Sequence, residues 1–130
     1  MINAIKAVKA PRTAALRMPM LAVSGVLAGL FMTFPTYIGA VLQWLVYIPA
    51  AWVLFSLARD GDGARRVYLR AYRYGFFFFM AEYLVNYHWF FSFYPLDFTG
   101  MSRASAAVVV AVAWIGLSIL ASVAGGAVFL

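Results

Sequence analysis

Four apolar runs, separated by short polar segments, are the feature that most constrains the fold of this chain. Residues 18 to 34 carry no charge, and further runs cover about 37–58, 74–94 and 104–130. Roughly 20 apolar residues cross the ~30 Å hydrocarbon core of a bilayer as an α-helix. Only 11% of the residues are charged, which is too little polar surface to cover a soluble globule of this size. The sequence therefore predicts an all-α membrane protein, a bundle of about four transmembrane helices.

The chain divides into a basic leader, residues 1–17, and a membrane domain, residues 18–130. The leader carries Lys6, Lys9, Arg12 and Arg17, a pattern that also fits a signal peptide. No small-x-small cleavage site with a polar mature segment follows, so a retained signal anchor is favoured. The last run reaches Leu130 without a polar or basic flank, and we expect the membrane domain to be truncated at its C-terminal end.

The distribution of positive charge predicts the orientation. Nine of the ten lysines and arginines lie in the leader or between residues 59 and 73, and Arg103 alone lies elsewhere. Basic segments stay on the cytoplasmic side, so both termini are predicted to be cytoplasmic. The 34–36 turn and the 95–103 loop then face outward. The net charge of +6 accordingly indicates anionic lipid rather than nucleic acid as the partner.

The chain offers little material for catalysis. It contains no cysteine, one histidine and four carboxylates. It has no G-x-S-x-G elbow, phosphate loop or H-E-x-x-H motif. We therefore predict no cofactor and no metal, and no independent reaction can be written from the residues alone.

The order of features from about Leu21 onward resembles the amino-terminal membrane region of bacterial apolipoprotein N-acyltransferase. The segment 34–37, Phe-Pro-Thr-Tyr, and the following run with Trp44 and Pro49 are similar to that family's Phe-Pro turn and second span. The segments 75–78 and 88–89 resemble its Gly-Phe-rich helix, which ends in Asn-Trp.

The segment 98–101, Phe-Thr-Gly-Met, stands where that family has Phe-Gly-Gly-Met. His88 replaces the family's asparagine, Ser92 is one position early, and Thr99 replaces a glycine. The resemblance implies a bacterial inner-membrane location, with phospholipid and a lipoprotein as partners, since the family transfers an acyl chain from phospholipid to the amino terminus of a lipoprotein.

The family's nitrilase-like domain, with its Glu-Lys-Cys triad, has no counterpart in these residues. A chain without cysteine cannot form the family's thioester, so whether it belongs to an enzyme stays open. One hypothesis is a membrane part that holds lipid substrate and is not catalytic by itself. The alternative is a non-catalytic small subunit or scaffold. It would pack against other membrane helices through the Gly/Ala/Ser face of its fourth run, which is formed by Gly116, Ser118, Ala121, Ser122, Gly125 and Gly126.

Glu82 is the most informative single residue, because a carboxyl within an apolar span costs a few kcal/mol to insert and usually faces the bundle interior. Asn86 and Trp89 follow four and seven residues later and would share its helix face. Asn86 could then hydrogen-bond the carboxyl. Two interpretations remain: a polar pair that orients the helix, or a group that handles a lipid headgroup or a proton.

His88 is rotated away from Glu82 by the helical spacing, so no metal pair is expected. The aromatic cluster around Trp89 and Phe91 fits an interfacial belt, with an acyl-chain groove as the alternative. Gly100 is predicted to supply a turn conformation. The candidate lipid-binding residues are thus Glu82, Asn86, His88, Trp89, Phe91, Gly100 and Met101.

Overall fold

The computed structural model describes residues 2–33, 37–59 and 63–130, with side chains from residue 15 onward. Four α-helices account for most of this: α1 (Ile2–Met32), α2 (Tyr37–Arg59), α3 (Ala64–Asn86) and α4 (Arg103–Ala127). Two 3₁₀ segments, Tyr87–Phe93 and Asp97–Thr99, connect α3 to α4. The described ranges contain no β-strand, and the all-α prediction is confirmed.

Three of the helices are long and apolar enough to cross a membrane: residues 15–32 of α1, all of α2 and all of α4. The helix α3 is not among them, because Arg70, Arg73 and Glu82 interrupt its apolar sequence. The predicted leader is not a separate element, since α1 runs without a break from Ile2 through the first span. The predicted 34–36 turn and residues 60–62 lie outside the described residues.

The third predicted span, 74–94, differs in its bounds from the observed helix, which begins at Ala64. The α-helix ends at Asn86 and the chain continues as a 3₁₀ segment to Phe93. The indole of Trp114 on α4 donates to the Leu84 carbonyl over 3.0 Å, and Nδ1 of His88 donates to the Val85 carbonyl over 2.7 Å. These two side-chain donors satisfy backbone carbonyls in the last turn of α3, where the helix ends.

The helix α3 is the centre of the bundle. It packs on α1 along one side and on α4 along the other, while α2 packs mainly on α1. Within the described residues, α1 and α4 do not touch. The buried core lies between α1, α2 and α3 and contains Leu21, Ala28, Val53, Leu57 and Phe78, with Phe129 reaching it from the end of the chain.

Glycines allow α1 to approach α3 closely. A Cβ placed on Gly29 would lie 2.5 Å from the Glu82 carbonyl oxygen and 2.8 Å from Cβ of Val85. A Cβ on Gly25 would overlap the carbonyl of Phe78. Inside a membrane the hydrophobic effect does not drive helices together, and close packing at small residues stabilises their association instead. This α1–α3 contact holds Glu82 in the interior.

The small-residue face of α4 packs on α3 of the same chain. Ser118 and Ser122 are fully buried, and a Cβ on Gly125 would lie 2.6 Å from the ring of Phe79. Both serine hydroxyls donate to the carbonyl one turn earlier, at 2.8 and 2.5 Å. The expected close packing is present except at Gly116, where nothing lies within 4 Å of an added Cβ. Most of the face proposed for an external partner is therefore occupied within the chain.

Candidate lipid-binding site

Glu82 is buried in the bundle, with 2% of its surface exposed. Its helix places it next to α1, where Gly29 contacts the Glu82 backbone. The side chain of Tyr47 on α2 lies within hydrogen-bonding reach of its carboxyl. The second carboxyl oxygen, Oε2, has no hydrogen-bond partner among the described residues. The carboxyl is therefore an interior polar group with spare hydrogen-bonding capacity, the arrangement expected of a functional intramembrane residue.

Tyr47 connects this buried carboxyl to a groove on α2. Gln43 lies one turn from Tyr47 and is within hydrogen-bonding reach of it. Together with Ala40 and Trp44, these two residues line a cavity of about 290 Å³. Trp44 is 79% exposed, so the groove opens on the outer surface of the bundle. A row of polar groups, Gln43, Tyr47 and Glu82, thus leads from that surface into the core.

Sequence reasoning did not identify Gln43 and Tyr47 as site residues. Their four-residue spacing places both on one face of α2, and Gln43 is the only amide side chain in the second apolar run. That spacing is the sequence feature from which Gln43 and Tyr47 could have been identified as a polar pair. The pairing of α2 with Glu82 of α3 could not be read from it, because two helices from different parts of the chain must first pack together.

Glu82 and Asn86 lie four residues apart on α3, as the predicted polar face requires, but Trp89 lies beyond the end of that helix. The side chain within hydrogen-bonding reach of the carboxyl is that of Tyr47 on α2. The helix ends at Asn86, and the 3₁₀ segment that follows has three residues per turn instead of 3.6. The seven-residue spacing therefore no longer aligns Trp89 with Glu82. Trp89 is about half exposed, whereas Glu82 is buried.

The aromatic residues of the 3₁₀ segment form a cluster that leans on α4. The rings of Trp89 and Phe90 stack with centroids 4.5 Å apart, and Phe91 lies 5.0 Å from the ring of Trp114. Trp89 and Phe91 remain about half exposed. His88 is exposed, and Nδ1 carries the proton that it donates to Val85. Half-exposed aromatic rings at a helix end have the character of an interfacial belt.

The 95–103 loop turns through two left-handed residues. Gly100 has φ of 69°, so the predicted turn conformation is confirmed, and Leu96 has φ of 59°. The Thr99 hydroxyl donates to the Leu96 carbonyl over 2.8 Å, which closes the turn. Phe98 and Met101 project to the outside. The peptide bond between Tyr94 and Pro95 is cis.

The seven candidate residues are distributed over two regions. Glu82 lies in the core with Tyr47 and Gln43, and Asn86 is half-buried at the end of α3. His88, Trp89, Phe91, Gly100 and Met101 lie at the exposed end of the bundle, in the 3₁₀ segment and the loop. Within the described ranges, no three His, Cys, Asp or Glu side chains come together. The core region can bind polar atoms by hydrogen bonding, and the exposed region can contact apolar chains.

Comparison with known proteins gives no relative from which a function could be assigned. No family model matches the chain, and neither a curated protein nor a solved structure matches it. The fold defines the class of protein, which is an all-helical membrane bundle with a buried carboxyl at its centre.

Proposed function

We propose that this chain is the membrane part of an apolipoprotein N-acyltransferase-like protein, which holds phospholipid and is not catalytic by itself. The observation that carries the proposal is the row of polar groups from the α2 groove to Glu82. A phospholipid combines apolar chains with ester and glycerol oxygens. A groove with Trp44 at its mouth and a hydroxyl and an amide on its wall offers contacts to both parts.

The buried carboxyl supports the proposal because Oε2 of Glu82 has no hydrogen-bond partner in the described part of the chain. An unsatisfied acceptor in a water-poor interior costs free energy unless a ligand or a bound proton satisfies it. A hydroxyl or amine of a lipid headgroup that enters through the groove could donate to it. The family resemblance adds the direction of the chemistry: phospholipid as acyl donor, and a lipoprotein amino group as acceptor.

The positive-inside pattern supports a multi-pass protein with cytoplasmic termini, and the family resemblance supports a bacterial inner membrane. In that orientation the 95–103 loop and its exposed aromatic residues lie on the outer side, where lipoprotein maturation takes place in the family. The scaffold function is the second candidate. It is favoured only by Gly116, which lies open on α4 and could accept a neighbouring helix.

Crosslinking of a photoreactive phospholipid tests the lipid-holding role. We expect a lipid with a diazirine acyl chain to label α2 around Trp44 in the wild-type chain, and Gln43→Leu with Tyr47→Phe to reduce that label severalfold. The matched control is Tyr37→Phe, on the same helix but outside the groove. Equal labelling in all three proteins would refute the proposal.

A transfer assay tests the catalytic part separately. The purified chain should transfer no acyl group from phospholipid to a diacylglyceryl peptide, because it has no cysteine to carry a thioester. Acylated product above the protein-free control would contradict a non-catalytic role.

A further inference from the structure

Two cavities on the face between α1 and α3 adjoin at Met18. The smaller, about 130 Å³, is lined by Met18, Arg70, Arg73 and Tyr74. The larger, about 470 Å³, has an apolar lining among the residues with described side chains: Met18, Pro19, Ala22, Phe77, Met80, Ala81 and Leu84. A basic cavity thus continues into an apolar groove. Among the described lining residues, neither cavity shares one with the α2 groove.

The arrangement follows from one stripe along α3. Residues at spacings of three and four lie on a single helix face. Along α3 this face carries Arg70, Arg73, Tyr74, Phe77, Met80, Ala81 and Leu84. The stripe is basic at its start and apolar beyond. On the facing side, α1 contributes Met18 and, one turn later, Ala22. The small side chains of Ala22 and Ala81 leave the space that the groove occupies.

The dimensions match one lipid molecule. From Arg70 to Leu84 the helix rises by about 21 Å at 1.5 Å per residue. Half of a bilayer's hydrocarbon core is about 15 Å thick, and a headgroup region lies above it. The basic end would therefore lie at headgroup level while the groove runs through one leaflet.

The positive charge of Arg70 and Arg73 in the smaller cavity favours an anionic ligand. Arginine presents a planar set of donors that fits the oxygens of a phosphate, and such contacts are strong because both partners are charged. An anionic phospholipid matches both cavities, because its phosphate suits the basic lining and its acyl chain suits the apolar groove, whereas an apolar protein helix matches only the groove. We propose that this face binds one anionic phospholipid, with its phosphate at Arg70 and Arg73 and one acyl chain in the groove of α1 and α3. The proposal does not depend on the function assigned to the α2 groove.

Native mass spectrometry of the full chain in nonionic detergent tests this site. Phosphatidylglycerol, phosphatidylcholine with the same acyl chains, and inorganic phosphate are titrated in parallel. We expect one saturable phosphatidylglycerol per chain, with weaker binding of phosphatidylcholine and inorganic phosphate. Phosphate that binds or competes as well as the lipid would overturn the proposal, since a free-anion site needs no groove.

Two matched pairs of variants separate the contributions. Arg70→Gln with Arg73→Gln should weaken phosphatidylglycerol binding about 20-fold, about fivefold for each arginine. Arg65→Gln with Arg66→Gln removes the same charge from the same helix outside the cavity and should change binding by less than about threefold. Equal losses in the two variants would mean diffuse attraction rather than a site.

The second pair tests the groove. Ala22→Leu fills the groove without a change of charge, so it should weaken the binding of the lipid but not the binding of inorganic phosphate. Ala107 is exposed on α4, and Ala107→Leu should leave the binding of both unchanged. Wild-type lipid affinity in Ala22→Leu would overturn the placement of the acyl chain. Circular dichroism confirms that each variant is folded.

Discussion

Substitution of Gly25 by alanine should separate α1 from α3. The added methyl group would overlap the Phe78 carbonyl and come within 2.9 Å of Cβ of Ala81. The first of these contacts is with backbone, which cannot rotate away as a flexible side chain can. The two helices must therefore move apart, and the neighbouring contact at Gly29 must loosen with them.

The expected net loss is about 2 kcal/mol in the free energy of unfolding. Overpacking of a tight interior costs about 1–3 kcal/mol, and a clash with backbone belongs at the upper end of that range. Alanine is a better helix former than glycine by about 1 kcal/mol, which offsets part of the cost. The difference should appear as a lower midpoint of unfolding.

Gly116→Ala is the matched control. It makes the same change in the middle of α4, where nothing lies within 4 Å of the new methyl group. Only the helix-propensity gain remains, so this variant should be more stable than wild type by up to about 1 kcal/mol. Reversible unfolding in mixed detergent micelles, followed by circular dichroism, measures both. A Gly25→Ala protein as stable as the Gly116→Ala protein would refute the close α1–α3 contact.

Three further predictions concern the core, the orientation and the loop. Glu82→Gln should be more stable than Glu82→Leu by on the order of 1 kcal/mol in detergent unfolding, because Gln keeps a hydrogen bond with Tyr47; a Leu variant more stable than wild type would contradict an interior polar contact. The chain has no native cysteine, so single cysteines at Gly63 and Thr99 report topology directly. An impermeant reagent on intact cells should label only position 99, and the reverse pattern would invert the orientation. Gly100→Ala should lower stability by about 1 kcal/mol in thermal unfolding, because its φ of 69° is unfavourable for a residue with a Cβ; unchanged stability would contradict the left-handed turn.

The sequence by itself determined the class and most of the helices. Apolar runs of this length have no other stable form in lipid, where every backbone group needs an internal partner. The second and fourth helices accordingly match the predicted runs to within three residues at each end. The buried position of Glu82 was also predictable, since a charged group is expensive at the lipid surface.

The tertiary structure decided what Glu82 contacts and where α3 ends. Its neighbour, Tyr47, lies on another helix, whereas periodicity within one helix predicted only Asn86. The end of α3 at Asn86 coincides with hydrogen bonds to its last carbonyls, one of them from Trp114 on α4. Both features depend on which helices pack together. That choice rests on shape at residues such as Gly25, Gly29 and Gly125, and a hydropathy pattern does not encode shape.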